Sequence, residues 1–124
     1  MNAWIFTAGA LAALTFGVHL FLGQKTVVDP FTKAEMPEDV KATMWVCWHA
    51  VSLLLGSFAG LLLWFGWHPP NVGLVEVIAW GYIAFGVLFL VVTLSKSWPN
   101  RLFQLPQWIL LAPIGVLALV GLPF

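Results

Sequence analysis

The stretch that decides the fold is residues 43–67, TMWVCWHAVSLLLGSFAGLLLWFGW, which contains no Asp, Glu, Lys or Arg. A helix needs about 20 predominantly apolar residues to cross a hydrocarbon core of ~30 Å. This uncharged run exceeds that length. It therefore predicts a membrane-spanning helix rather than the buried helix of a water-soluble domain.

Three further runs have the same character, and with the first they predict four spans. The predicted helices cover residues 3–23, 37–67, 72–95 and 102–122. Hydrophobic residues form 61% of the chain and charged residues 8%, whereas soluble domains have about 45–50% and about 25%. This composition excludes a soluble domain and a disordered chain. A net charge of zero provides no basic face for nucleic acid.

The connections between these runs predict an antiparallel four-helix bundle. Residues 24–41 hold seven of the ten formal charges, and we predict a charged loop there. The second helix should begin near Pro37, because proline suits a first helical turn. His68-Pro69-Pro70-Asn71 and Pro99-Asn100 predict turns. The expected fold is all-α, with residues 1–124 as a single transmembrane domain.

The positions of the basic residues predict the orientation of the bundle. All of them fall in the first and third connections: Lys25, Lys33, Lys41, Lys96 and Arg101. Because basic residues accumulate on the cytoplasmic side of membrane proteins, we expect the loop 24–41 to be cytoplasmic. Both termini should then lie on the non-cytoplasmic side of a multi-pass protein in the inner (plasma) membrane of the cell.

Small residues predict where the helices pack. Ser52, Gly56 and Gly60 recur every four residues along the second helix, and this spacing allows two helix backbones to approach closely. In the last helix, Pro113 removes a backbone hydrogen bond and predicts a kink.

Two histidines are the main candidates for chemistry, because ionisable groups inside a bilayer are costly and mark functional sites. His19 and His49 lie at depths of roughly 6 and 9 Å from the same membrane face, at 1.5 Å per residue. Both lie on stripes of small residues, so we expect both to point inward. Thr15 lies one turn from His19, Ser52 lies one turn from His49, and Thr93 should reach a similar depth.

A level pair of imidazoles has several possible roles. It could bind a transition metal, ligate a haem or chlorin, or relay a proton. The alternative is an interhelical hydrogen bond that fixes the first helix to the second. The chain has no H-x3-H, H-E-x-x-H or C-x-x-C spacing. A structural zinc site takes four ligands, and only two are evident.

Glu76 is the one formal charge left within a span. It lies near the outer end of the third helix, where the helix dipole favours a carboxylate. His68, at the outer interface, is its expected partner. A role for Glu76 in substrate or proton transfer is the alternative.

The function that this pattern favours is a non-enzymatic accessory or assembly subunit of a larger membrane complex, in contact with lipid and with other membrane subunits or further copies of itself. The first alternative is a haem-, chlorin- or metal-binding membrane protein that uses His19 and His49. The second is a small oligomeric transporter or channel, with Glu76 and Pro113 along its path. An enzyme is disfavoured, because no serine or cysteine has an adjacent base with an acidic orienting group.

Overall fold

The chain was analysed as a computed structural model that describes residues 1–123. This part of the chain is all-helical, at 84% helix with no strand. Three helical segments are long and apolar enough to cross a membrane, namely Ala3–Lys33, Glu38–Trp67 and Val72–Ser95. The predicted all-α membrane protein is confirmed at that level. The predicted domain 1–124 ends one residue beyond the described range.

The helices follow one another with short connections. They are α1 (Ala3–Gly23), a π-helical turn (Gln24–Val28), α2 (Asp29–Lys33), α3 (Glu38–Trp67), α4 (Val72–Ser95), α5 (Arg101–Gln104) and α6 (Gln107–Val120). The bounds of α1, α3 and α4 agree with the predicted helices to within one residue.

The charged segment 24–41 differs from the prediction, because its first part is helical. The helix that begins as α1 continues to Lys33, and α3 begins at Glu38, so residues 34–37 form the actual break. The charges mark where the chain leaves the apolar region. Lys25 and Lys33 do not end the helix, because lysine is a good helix former in water.

The π-helical turn accommodates Pro30. In a regular α-helix the proline ring would crowd the carbonyl group of Thr26. Here the N–H of Asp29 donates to the carbonyl oxygen of Gln24, five residues earlier, which widens the turn. The Nε2 of Gln24 also donates to Oδ1 of Asp29 at 3.1 Å. The chain thus continues as a helix through a residue that would otherwise break it.

The fourth predicted helix, residues 102–122, divides into two. Leu105 and Pro106 separate α5 from α6, and α6 has 14 residues. Its length is about 21 Å at 1.5 Å per residue, which is shorter than a full span. Pro113 lies inside α6.

The order of packing differs from the order in sequence. The main helix pairs are α1 with α3, α4 with α6, and α1 with α6. Helices α3 and α4 are consecutive but approach each other less closely, and Phe58 and Tyr82 meet there with ring centroids 5.9 Å apart. One apolar core joins the helices. The weak pairing of α3 with α4 leaves room for a cavity.

Glycines allow the closest helix contacts, but these glycines differ in part from the ones in the predicted stripe. A Cβ atom at Gly9 would lie 2.6 Å from the backbone nitrogen of Leu63, and one at Gly66 would lie 2.6 Å from that of Phe6. The predicted stripe is wrong at Gly60, which is exposed and has nothing within 4 Å of a Cβ position. The α1–α3 contact therefore includes Ser52 and Gly56 but continues through Leu63 and Gly66, so it leaves Gly60 on the outside.

Asn2 ties three helices together at one end of the molecule. Its Oδ1 accepts from the N–H of Ile5 at 3.1 Å and caps α1. Its Nδ2 donates to the carbonyl oxygen of Gly121 at 2.6 Å. Its backbone N–H donates to the carbonyl oxygen of Gly66 at 2.7 Å. The ends of α1, α3 and α6 are thus held together by one residue.

Candidate functional site

His19 contacts α3 through two neighbouring side chains. Its Nε2 lies 2.9 Å from Oγ of Ser52, and its ring stacks on Trp48 with centroids 4.0 Å apart. Ser52 is buried, and His19 is partly buried. The structure thus brings together two of the predicted site residues from different helices.

Ser52 links His19 to the backbone of α3. Its Oγ lies 2.9 Å from Nε2 of His19 and 2.9 Å from the carbonyl oxygen of Trp48. A hydroxyl has one proton to donate, so Oγ either accepts from a protonated Nε2 while it donates to Trp48, or donates to an unprotonated Nε2. In both cases the contact joins α1 to α3.

His49 has different surroundings from His19. It is exposed, and its ring meets Trp45 edge-on with centroids 4.6 Å apart. The structure therefore does not bring the two predicted histidines together. Successive residues on an α-helix are rotated by about 100° around its axis. Because Trp48 and Ser52 face α1, the side chain of His49 is turned away from that contact. Within residues 1–123, no three His, Cys, Asp or Glu side chains are grouped as a metal site would need.

Three buried polar atoms have no hydrogen-bond partner within the described part of the chain. They are the Tyr82 hydroxyl, the Thr93 hydroxyl and Oε1 of Gln107. Thr15, by contrast, donates to the carbonyl oxygen of Leu11 at 2.8 Å, as helical threonines commonly do. Thr15 is satisfied by its own helix, whereas Oε1 of Gln107 is buried without a donor among the described residues.

Glu76 and His68 do not form the predicted pair. His68 stacks on Trp64 with centroids 3.8 Å apart, and its Nδ1 lies 3.1 Å from the carbonyl oxygen of Trp64. Glu76 is exposed one turn inside α4. Both residues are therefore placed at the end of the molecule opposite the charged segment.

The central feature of the structure is a cavity of about 560 Å³ that is lined by residues from α1, α2, α3, α4 and α6. Along α1 and the π-helical turn it runs from Thr15 to Thr26, which is about 16 Å at 1.5 Å per residue. His19 and Gln107 both line it, and most other lining residues are apolar, among them Leu22, Val51 and Phe89.

One wall of the cavity depends on a glycine and on the π-helical turn. A Cβ atom at Gly23 would lie 3.1 Å from Cζ2 of Trp48, so the glycine allows the indole to lie between α1 and α3. Thr26 and Val27, both in the π-helical turn, line the cavity directly. Such turns interrupt helices at functional sites more often than elsewhere.

Two residues of this site were not among the predicted ones. Trp48 is the first, although it lies one turn before Ser52 and so shares its face. Gln107 follows Pro106, and a polar residue just inside an apolar helix was the available signal. Neither Glu76 nor Pro113 lines the cavity.

Comparison of the chain with protein-family models, with curated proteins and with solved structures finds no match. The cavity and its lining residues are therefore the basis for a proposed function.

Proposed function

We propose that this protein binds a largely apolar small molecule inside the membrane, in the cavity between α1, α3, α4 and α6, without catalysing a reaction. The observation that supports the proposal is the cavity of about 560 Å³, whose walls are mostly apolar and carry a few polar side chains, among them His19 and Gln107. Ligand pockets typically have volumes of ~300–1,000 Å³ and few, well-placed polar groups.

A haem or chlorin is one form that such a ligand could take. It would find one imidazole in the cavity, His19, because His49 lies outside it. The visible absorption spectrum of the purified protein distinguishes these pigments from a colourless occupant.

Filling the cavity should expel the ligand. Val51 lines the cavity, so Val51→Trp places an indole in the space that the ligand would use. Overpacking of this kind costs about 1–3 kcal/mol, and we expect occupancy to fall roughly 5- to 150-fold. The measurement is the amount of apolar small molecule extracted per mole of purified protein.

Val46→Trp is the matched control, because Val46 is an exposed residue of α3 that does not line the cavity. This variant should retain its ligand. Equal ligand content in the two variants would contradict the proposed site.

We also propose that the chain spans the membrane four times, with the charged segment 24–41 in the cytoplasm and both termini on the other side of the inner membrane. The basic residues support this orientation. The shorter helix α6, together with α5 and residues 121–122, would form the fourth crossing. A reporter fused after the last residue should be active only if it is folded outside the cytoplasm.

A second candidate function is the accessory or assembly subunit that the sequence favoured. The exposed His49 supports it, because an imidazole about six residues inside a span is costly to leave in lipid. A neighbouring subunit, or another copy of this chain, would cover that face of α3. Co-purification from native membranes should be weakened by His49→Leu, and isolation of the protein only as a free monomer would argue against this role.

A further inference from the structure

The cavity is closed by helix contacts on three sides and has an open fourth side. Helix α1 packs closely against α3 and against α6, and α6 packs closely against α4. The fourth pair, α3 with α4, meets at Phe58 and Tyr82, whose ring centroids are 5.9 Å apart. The opening therefore lies between α3 and α4, on the side of this aromatic contact that is nearer to the charged segment 24–41.

The lining residues show where α3 and α4 separate. On α3 the cavity is lined by residues from Leu55 back to Thr43, and on α4 by Phe85 and Phe89. Three of the lining residues on α3 are also exposed, namely Met44, Cys47 and Val51. The cavity can therefore be reached from the side of the bundle, through the bilayer.

The polar side chains of the lining offer few contacts to an occupant. Thr15, Thr26 and Thr43 each donate to the backbone carbonyl oxygen four residues earlier, at 2.8, 3.0 and 2.8 Å, and a hydroxyl has one proton to donate. Oε1 of Gln107 is buried, and Nε2 of His19 is engaged by α3. The remaining surface is mostly hydrocarbon, which favours an occupant that is itself a hydrocarbon chain.

The length of the cavity matches one leaflet of a bilayer. From Thr15 to Thr26 it extends over about 16 Å at 1.5 Å per residue, and half of a hydrocarbon core of ~30 Å is about 15 Å. Thr26 belongs to the charged segment, so the cavity lies at the depth of the acyl chains of the leaflet at that end. An acyl chain could enter without leaving the bilayer.

Lys96 lies at the depth where the cavity ends. Met44, which lines the cavity, lies 14 residues before Phe58 on α3. Lys96 lies 14 residues after Tyr82, directly beyond the end of α4. Because a short connection joins α3 to α4 and the two helices run in opposite directions, Met44 and Lys96 lie at a similar depth.

The positive charge at this end of the opening is on the α4 side. Residues 77–123 contain no Asp or Glu, and Arg101 lies beside the end of α4, where its Nη1 donates to a backbone carbonyl oxygen at 3.4 Å. On the α3 side the first turn carries Glu38 and Asp39. An anionic headgroup is therefore favoured at Lys96 and Arg101.

Resting on the proposed function, we propose that the occupant is a phospholipid of the surrounding leaflet. One of its acyl chains passes between α3 and α4 and lies in the cavity beside Val51 and Phe89, and its phosphate lies at Lys96 and Arg101. The headgroup stays at the membrane surface, so binding does not require the cost of burying a charge.

The first experiment uses the delipidated full chain in detergent micelles. Dioleoyl phosphatidylglycerol, dioleoylglycerol and anthracene are titrated separately, and native mass spectrometry counts the molecules bound per chain. We expect one phospholipid per chain, bound about fivefold or more tightly than dioleoylglycerol, which has the same acyl chains and no phosphate.

The outcomes separate this inference from the proposed function. If dioleoylglycerol binds as tightly as the phospholipid, the cavity binds apolar molecules but the phospholipid inference is overturned. The same holds if anthracene binds and neither lipid does. If none of the three probes binds, both the inference and the proposed function are overturned.

The second experiment changes the charge at the opening. Lys96→Gln should weaken phospholipid binding about fivefold and leave dioleoylglycerol binding unchanged, whereas the control Lys96→Arg, which keeps the charge, should bind both as the wild type does. Lys96 is exposed, so the substitution leaves the core intact. Unchanged phospholipid affinity in Lys96→Gln would overturn the inference.

The third experiment tests whether the chain lies inside the cavity. Val51→Trp, which fills the cavity, should lose the bound phospholipid, and Val46→Trp, outside it, should retain it. Equal phospholipid binding by the two variants would place the lipid elsewhere and overturn the inference. The charge variants of Lys96 decide it if Val51→Trp does not fold.

Discussion

Gly9→Ala should destabilise the protein by about 1–3 kcal/mol, the usual cost of overpacking a close contact. The added Cβ would lie 2.6 Å from the backbone nitrogen of Leu63 and 2.9 Å from the carbonyl carbon of Leu62. Neither is the end of a flexible side chain, so α1 and α3 must move apart. Thermal unfolding in detergent, followed by tryptophan fluorescence, measures the change.

The same substitution at Gly17 and at Gly60 should have the opposite sign. These glycines lie on the same two helices, and a Cβ at either has nothing within 4 Å. Alanine in a helix is favoured over glycine by roughly 0.5–1 kcal/mol, so both control variants should be at least as stable as the wild type. If Gly9→Ala is as stable as Gly17→Ala, the close approach of α1 to α3 is wrong.

These glycines show why the packing face could not be predicted fully from sequence. The small residues of α3 correctly predicted close packing on that helix, and Ser52 is buried. Gly60, however, is exposed, while Gly66 carries the close contact. Lipid and protein core both favour apolar residues, so the hydrophobic pattern does not tell which face of such a helix is inward.

The spans themselves were predictable, because length and hydropathy determine them. The charged segment was predicted less well, because charge marks the edge of the apolar region and not the end of a helix.

The cavity was not predictable at all. It exists because α3 and α4, neighbours in sequence, pair weakly, while α1 pairs with both α3 and α6. That pairing order depends on contacts such as Gly9 with Leu63, which are far apart in the chain.

His19 and His49 are equivalent by sequence, because their predicted depths and their neighbours are alike. The structure distinguishes them by their position around the helix. His19 faces α3 and contacts Ser52 and Trp48, whereas His49 is exposed beside Trp45. Depth can be counted along a sequence, but the rotation of one helix against another cannot.

We therefore expect His19→Ala to destabilise the protein by about 1–3 kcal/mol and His49→Ala by about 0.5 kcal/mol or less. His19 would lose a hydrogen bond between helices, which in membrane proteins averages about 0.6 and reaches about 1.7 kcal/mol. It would also lose the stack on Trp48, and aromatic pairs contribute about 0.5–1.5 kcal/mol. The exposed His49 has only its edge contact with Trp45. Unfolding in detergent compares the two variants directly.

A double-mutant cycle isolates the contact between His19 and Ser52. If the 2.9 Å hydrogen bond joins α1 to α3, the effects of His19→Ala and Ser52→Ala will not add, and the coupling energy should be about 0.6–1.7 kcal/mol. The cycle of His49→Ala with Ser52→Ala serves as control and should give a coupling energy near zero, although the two residues are one turn apart on α3. Additive effects for His19 and Ser52, to within about 0.3 kcal/mol, would show that the bond does not hold the helices together.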